Sequence, residues 1–228
     1  MIRPVVAVLL VPFSLMFGQT FFATPYAHTY SIVARDSVSG EIGVAVQSHW
    51  FSVGSIVSWA EAGVGAVATQ SMVNASFGPR GLALLKNGLS PRRALDSLLA
   101  DDEGRDYRQV AIVNVLGEAA VHTGKSCIAH AGHETGRGFS VQANMMLNER
   151  VWPAMARAFS ASSGPLAERL LAALQAAQKE GGDIRGQQSP ALLVVSGRAK
   201  GHHWQDRLVG LRIEDHAAPI QELARPLR

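Results

Sequence analysis

The chain has 228 residues, 47% of them hydrophobic and 17% charged, with a formal charge of +3. This balance supports a sizeable buried core and excludes an intrinsically disordered chain. The 21 basic and 18 acidic residues form no Lys/Arg run, which leaves no electrostatic footprint for nucleic acid, and the single cysteine, Cys127, excludes an intramolecular disulfide.

Residues 1–27 read as a leader. Arg3 precedes the apolar stretch "VVAVLLVPFSLMFG", and "QTFFATPYA" ends on the small residue Ala27. The expectation is a cleavable signal peptide over 1–27 and export to a periplasm or the exterior. An uncleaved anchor from Val5 to Ala23 is the alternative, opposed by Pro12, Ser14, Gln19 and Thr20. Pro25 departs from the small residue usual two places before the last one of a leader. Removing residues 1–27, which hold Arg3 and no acid, lowers the charge from +3 to +2.

After the leader, "TYSIVARD" and "EIGVAVQS" predict two strands joined by the turn "SVSG". "GSIVSWA" and "GVGAVATQ" predict two more strands around "EAG". A helix is expected to open at Pro79 and stop at Gly88. A second follows, capped by Ser90 with Pro91 in its first position and Ala94, Leu95, Leu98 and Leu99 on one face. "YRQVAIVNVLGEAAVHTG" predicts a hairpin turning near "LGE"; the Gly-rich "CIAHAGHETGRG" reads as a loop and "FSVQANM" as a strand. Residues 148–180 predict helices, with Leu166, Leu170, Leu171 and Leu174 forming a buried stripe. "PALLVVS" and "RLVGLRIED" close the domain as strands.

Hairpins followed by helices, then strands and helices again, predict an α+β fold with antiparallel sheets layered against helices. The expected organisation is one domain over 28–214 and a C-terminal tail over 215–228.

The segments "TYSIVARDSVSGEIGVAVQS", "AGVGAVATQSMVNASFGPRGLALLKNGLS", "HTGKSCIAHAGHETGRGFSVQANMM" and "GGDIRGQQSPALLVV" together resemble the DUF1028 family, assigned to the N-terminal-nucleophile (Ntn) hydrolase superfamily. The resemblance spans about residues 28–197. It implies a four-layer αββα sandwich in which the first residue of the mature chain supplies both nucleophile and base. By position, Thr29 matches the Thr that opens the family's first strand. A free α-amine has a pKa of ~7.7–8.0 and can take the proton from a Thr hydroxyl near neutral pH, whereas a preceding peptide bond abolishes that base. A cut after Ala27 would leave His28 in front of Thr29, so trimming of His28 is required. The resemblance implies an amidohydrolase acting on an isopeptide, a small amide or a cell-wall peptide linkage, without a cofactor.

Asp36, with Arg35 beside it, is a candidate to orient the amine, as an acid near that strand does in some Ntn enzymes; Arg35 is a candidate partner for Asp36 or for a substrate carboxylate. The alternative is a surface ion pair at a turn. Thr69, Gln70, Ser71 and Asn74 follow an apolar strand and precede a helix start. Asn74 is the favoured oxyanion donor, and the helix start near Arg80 and Gly81 is a candidate anion receiver. A loop that caps the helix explains the same letters. Gln142 and Asn144 share one side of a strand and are candidate readers of an amide or sugar, or partners of a neighbouring loop. In "GGDIRGQQS", Asp183 and Arg185, followed by Gln188 and Ser189, make a candidate substrate rim or a structural ion pair.

His122, Cys127, His130 and His133 have ligand types suited to zinc at a spacing that matches no specific zinc motif, so no metal is assigned. Two other classes compete with the hydrolase: a binding or structural protein on the same sandwich, and a metal-dependent hydrolase. Exposed strand edges or helix faces would allow a homodimer.

Overall fold

The computed structural model describes Tyr26, Ala27 and residues 29–227. The leader reading falls on residues 1–27 and the trimming question on His28. Apart from the backbone of Tyr26 and Ala27, both lie outside the described residues. No helix among the described residues is long and apolar enough to cross a membrane.

In chain order the strands are β1 (Tyr26–Ala27), β2 (Thr29–Arg35), β3 (Ile42–Ser48), β4 (Ser58–Glu61) and β5 (Gly65–Met72). Two helices follow, α1 (Phe77–Lys86) and α2 (Pro91–Ala100), then β6 (Arg108–Asn114), β7 (Ala119–Thr123), β8 (Gly132–Gly136) and β9 (Phe139–Ala143). The chain continues through α3 (Val151–Ala161), α4 (Leu166–Lys179), β10 (Ser189–Val195), α5 (His203–Asp206), β11 (Arg207–Arg212) and α6 (Pro219–Ala224).

Both sheets are antiparallel. One runs β1-β5-β6-β7 with β4 also on β5, and the other runs β11-β10-β3-β2-β9-β8. The two-residue period of each strand divides its side chains between two layers. On β2, Tyr30, Ile32 and Ala34 pack with Leu170, Leu174, Phe159 and Met155 of α3 and α4, whereas Val33 packs with Val44, Val46, Ala66, Ala68 and Ala111 between the sheets. On the far side, Val67, Val110 and Ile112 meet Phe77, Leu82, Leu95 and Leu98 of α1 and α2. The layers are therefore helices, sheet, sheet, helices, the αββα arrangement that the resemblance implied.

Three local differences from the sequence expectations have physical causes. The segment 132–136, read as part of a loop, is the edge strand β8, and its Glu134 pairs with Val141 of β9. Backbone pairing outweighs its Gly-rich composition. Helix α1 begins at Phe77, so Pro79 lies inside the first turn, where its missing N–H has no helical partner to lose. The segment read as a tail forms α6, which buries Ile220 and Leu223 in the core with α4, so it packs as part of the domain.

Helix α1 also crosses β4 closely. A Cβ built on Gly78 would lie 2.3 Å from the Trp59 ring, whose Nε1 donates to the Ile56 carbonyl at 3.1 Å. Gly78→Ala is therefore expected to lower stability by about 1–3 kcal/mol, read as a reduced denaturation midpoint with an unchanged denaturant slope.

Candidate functional site

The space between the sheets changes character along its length. At one end it is filled by valine and alanine. At the other, where β2 begins and β3 ends, the inward positions are Thr29, Ser31, Ser48, Gln70, Gln109, Gln142 and Asn144, all fully buried.

The hairpin register pairs Thr29 with Ser48, and Thr29 Oγ1 donates to Ser48 Oγ at 3.2 Å. The Thr29 carbonyl accepts from Gln70 Nε2 at 2.9 Å, the Asn144 backbone N–H at 3.0 Å and Asn144 Nδ2 at 3.4 Å. Gln109 lies at the hub. Its Oε1 accepts from Gln70 Nε2 at 2.7 Å and Asn144 Nδ2 at 3.0 Å. Its Nε2 faces the carbonyls of Ala143 and Gly132 and the Thr123 hydroxyl at 2.9, 3.1 and 2.9 Å. Ser31 Oγ donates to Gln70 Oε1 at 2.6 Å and accepts from Gln142 Nε2 at 3.2 Å. This amide network ties strands β2, β5, β6 and β9 across the sandwich and fixes the backbone at the start of β2. Asn144 Oδ1 is buried without a hydrogen-bond partner.

Two residues beside this end carry backbone strain. Ser71, opposite Ala27 in the β1–β5 pairing, has φ of 67°, and Met145, directly after Asn144, has φ of 58°. Non-glycine residues in the left-handed region cost of order 1–3 kcal/mol and persist where their surroundings hold them.

The remaining sequence candidates separate. Asp36 closes the opposite end of β2, seven residues from Thr29, which at ~3.3 Å per residue is about 23 Å away. It therefore cannot touch the Thr29 amine. Its Oδ1 accepts from the Val38 and Ser39 N–H groups and its Oδ2 from Arg169 at 2.7 Å. Burial alone would raise its pKa, but the Ser39 and Val38 bonds together with Arg169 outweigh it and lower the value. Arg35 shares that remote end. Thr69 alternates to the helix side of β5, where its Oγ1 donates to the Asn74 carbonyl at 3.3 Å. Asn74 Oδ1 accepts from the Ser76 N–H and hydroxyl at 3.2 and 2.7 Å, so its oxygen serves the start of α1. Arg80 is exposed, with its guanidinium 5.6 Å from the Phe77 ring. Gln142 and Asn144 lie inside the network rather than at an accessible rim, which removes them as direct substrate readers in this form of the chain.

Asp183 and Arg185 do lie at the Thr29 end. Asp183 Oδ2 accepts from the His49 N–H at 3.1 Å, and Arg185 reaches both carboxylate oxygens at 3.0 and 2.6 Å. The Gln188 N–H donates to the Ser48 carbonyl at 3.0 Å, and the Ser189 hydroxyl bonds the Trp50 carbonyl while accepting from the Val53 N–H. This loop thus braces the end of β3. Behind it, Tyr30 donates to Gln178 at 2.9 Å; burial, then the Asp183 charge, push the phenol pKa well above its usual value.

Among the described residues no three His, Cys, Asp or Glu side chains converge on a point suited to a metal. His122 meets the Arg105 carbonyl, His133 meets Thr123, and His130 stands 3.8 Å from Glu149. Burial holds the Cys127 thiol pKa up despite hydrogen bonds with Ser71 and Gly124, which disfavours a thiolate.

Ser48 and Gln109 are the residues that sequence reasoning missed. Counting outward from the "SVSG" turn pairs Thr29 with Ser48, and Gln109, immediately before the apolar run "VAIVNV" and two places from Ala111 on the same strand face, is a polar residue at a buried position that needs partners. Beside Gln109, Arg108 binds Asp102 through Nε at 2.8 Å and Nη2 at 3.0 Å, with both side chains largely buried. The Arg108 bonds, opposed by burial, lower the Asp102 pKa. A carboxyl with a lowered folded pKa stabilises the fold above its unfolded value of ~3.9 and loses that contribution as pH falls through the folded value. Asp102→Asn is therefore expected to cost about 3 kcal/mol near pH 7. In urea titrations the difference from the parent should shrink as the pH drops below about 4.

These layers and this buried polar end define an α+β four-layer sandwich in which β2 begins at a threonine held between the sheets. The pattern of DUF1028, a family of unknown function, matches residues 29–223, and the chain belongs to that family. The crystal structure of protein SPO2555 from Silicibacter pomeroyi, a DUF1028 protein, is similar at 34% identity and TM-score 0.79, covering 87% of this chain and 84% of that one. Anbu (ancestral beta-subunit) from Yersinia bercovieri aligns at 13% identity and TM-score 0.41, over 87% of this chain and 93% of that one, a likeness too low to carry functional weight. No curated protein matches the chain.

Proposed function

We propose that the protein is an exported Ntn-type amidohydrolase in which Thr29, once it is the first residue, attacks an amide or peptide-like carbonyl. The observation that carries this reading is the placement of Thr29. Its hydroxyl meets Ser48, and its carbonyl is held by three donors from Gln70 and Asn144. The strained Ser71 and Met145 flank the same place. Upstream, β1 is only two residues long, so its removal would sacrifice little pairing.

After processing, the α-amine takes the proton from Thr29 Oγ1 as the oxygen adds to the substrate carbonyl carbon. Neutral donors hold the tetrahedral oxyanion. Collapse breaks the C–N bond, and the departing amine takes the proton from the α-ammonium. Water then attacks the Thr29 ester carbon and passes a proton to the α-amine; the C–Oγ1 bond breaks, Thr29 Oγ1 takes that proton from the α-ammonium, and the acid is released with the free hydroxyl and amine restored.

The decisive experiment is the intact mass and N-terminal sequence of the protein recovered from its native compartment. A start at Thr29 supports the reading; a start at His28 or earlier in all of the recovered protein overturns it. One observation favours a binding or structural role instead: Thr29 is fully buried and its surroundings are already bonded with β1 in place. That reading predicts an untrimmed chain.

A further inference from the structure

The end of the sandwich away from Thr29 holds an arrangement that the proposed hydrolysis does not use. A cavity of about 260 Å³ there is lined by Arg35, Arg137 and Arg169, with Ser37 and the backbone of Gly117 and Gly138, and by no carboxylate among the described residues. Such a wall concentrates positive charge where opposite charge would be expected to balance it.

Two of these cations are held in place. Arg169 is pinned by Asp36 at 2.7 Å and lies 4.4 Å from the Phe159 ring centre, which fixes its guanidinium. The Arg35 backbone N–H donates to the Gly138 carbonyl at 2.7 Å, and its side chain runs over Gly117, where a Cβ would lie 3.4 Å from Arg35 Cδ. Gly117 and Gly138 have φ of +83° and +79°, so both positions disfavour the side chains that would crowd this wall.

The cations are nevertheless incompletely satisfied. The Nε atoms of Arg35 and Arg169 are buried and have no hydrogen-bond partner. The side chains of Arg35 and Arg137 make no hydrogen bond or ion pair with the described residues. Asp36, the nearby acid, already receives Val38, Ser39 and Arg169. Three guanidinium groups thus line the cavity, and among the described residues the carboxylate bonded to any of them is Asp36, on Arg169. Arg35 also lines the adjoining cavity of about 490 Å³ with Arg198 and Lys200, extending the positive surface.

We propose that Arg35, Arg137 and Arg169 form a binding site for a tetrahedral oxyanion of the phosphate class, either free or as a phosphate ester. Guanidinium groups present planar pairs of N–H donors that match phosphate oxygens, and the Ser37 hydroxyl adds a further donor. A single carboxylate would leave much of this charge unbalanced. The site is independent of the hydrolase reading, because Thr29 stands at the other end of β2.

The test is isothermal titration calorimetry of the intact protein with inorganic phosphate at constant ionic strength, with glycerol phosphate and succinate as further probes. Saturable binding of one phosphate or glycerol phosphate per chain is expected, with Kd raised roughly tenfold or more by Arg137→Gln and by Arg35→Gln. Arg92→Gln, remote on α2, should leave it unchanged. Tighter binding of glycerol phosphate than of phosphate would support the site and assign the ester as its source; the reverse order would support it as a site for the free anion. Arg137 is exposed and unbonded, so its variant reports on binding even if Arg35→Gln fails to fold. Absence of saturable binding by either phosphate, binding indifferent to Arg137→Gln, or succinate binding more tightly than both would overturn the proposal.

Discussion

Gln109→Ala is expected to destabilise the protein by about 3–5 kcal/mol, because it removes the hub of a buried network rather than one contact. Gln109 Oε1 receives the Gln70 and Asn144 amides, and its Nε2 serves the carbonyls of Gly132 and Ala143. Truncation to alanine leaves those groups between the sheets without a partner, and each orphaned buried group costs about 1–3 kcal/mol. Partial compensation by water admitted into the new space keeps the total below a simple sum. Chemical denaturation followed by circular dichroism measures the loss. A change below about 1 kcal/mol would mean that the network relaxes freely and does not fix the start of β2.

Thr29→Ala should leave the fold nearly intact and abolish turnover. Structurally, the substitution removes one hydroxyl contact at 3.2 Å, worth about 1 kcal/mol, while the backbone bonds to the Thr29 carbonyl remain. Chemically, it removes the nucleophile of the proposed reaction, for which a drop of roughly 10³-fold or more is expected. Thr29→Ser keeps a hydroxyl in the same place and should retain measurable activity. The measurement is hydrolysis of an amide panel by protein that begins at residue 29, with denaturation curves recorded alongside. Activity retained in Thr29→Ala would eliminate the nucleophile assignment.

Thr29, Gln109 and Asp36 divide the molecule into regions with different physical tasks. Around Thr29 and Gln109, polar groups occupy space that is apolar elsewhere between the sheets, and their bonding fixes backbone positions. At Asp36, the turn is closed by Val38 and Ser39 and clamped to α4 through Arg169. The same carboxylate that looked suited to tuning an amine is therefore part of the hairpin's attachment to the helix layer. It also neutralises one of the cations around the proposed oxyanion site.

Local periodicity and turn chemistry were sufficient to determine the β2–β3, β4–β5 and β6–β7 hairpins, the paired helices and the α+β class, because alternation and helical stripes are written into neighbouring residues; the β8–β9 hairpin, whose first strand is Gly-rich and polar, was not legible in this way. The Thr29–Ser48 pairing was legible in the same way, by counting outward from one turn. What the tertiary structure alone decided was which polar residues meet. Thr69 and Gln70 are adjacent in sequence but face opposite layers, while Gln70, Gln109 and Asn144 are far apart in sequence and share one set of hydrogen bonds. Thr29 begins β2 and Asp36 directly follows its last residue, yet extended backbone separates them, and Arg35 joins Arg137 and Arg169 only because the sandwich brings three distant segments to one end. Sequence proximity governs backbone conformation, whereas long-range strand register and layer packing govern which side chains can act together.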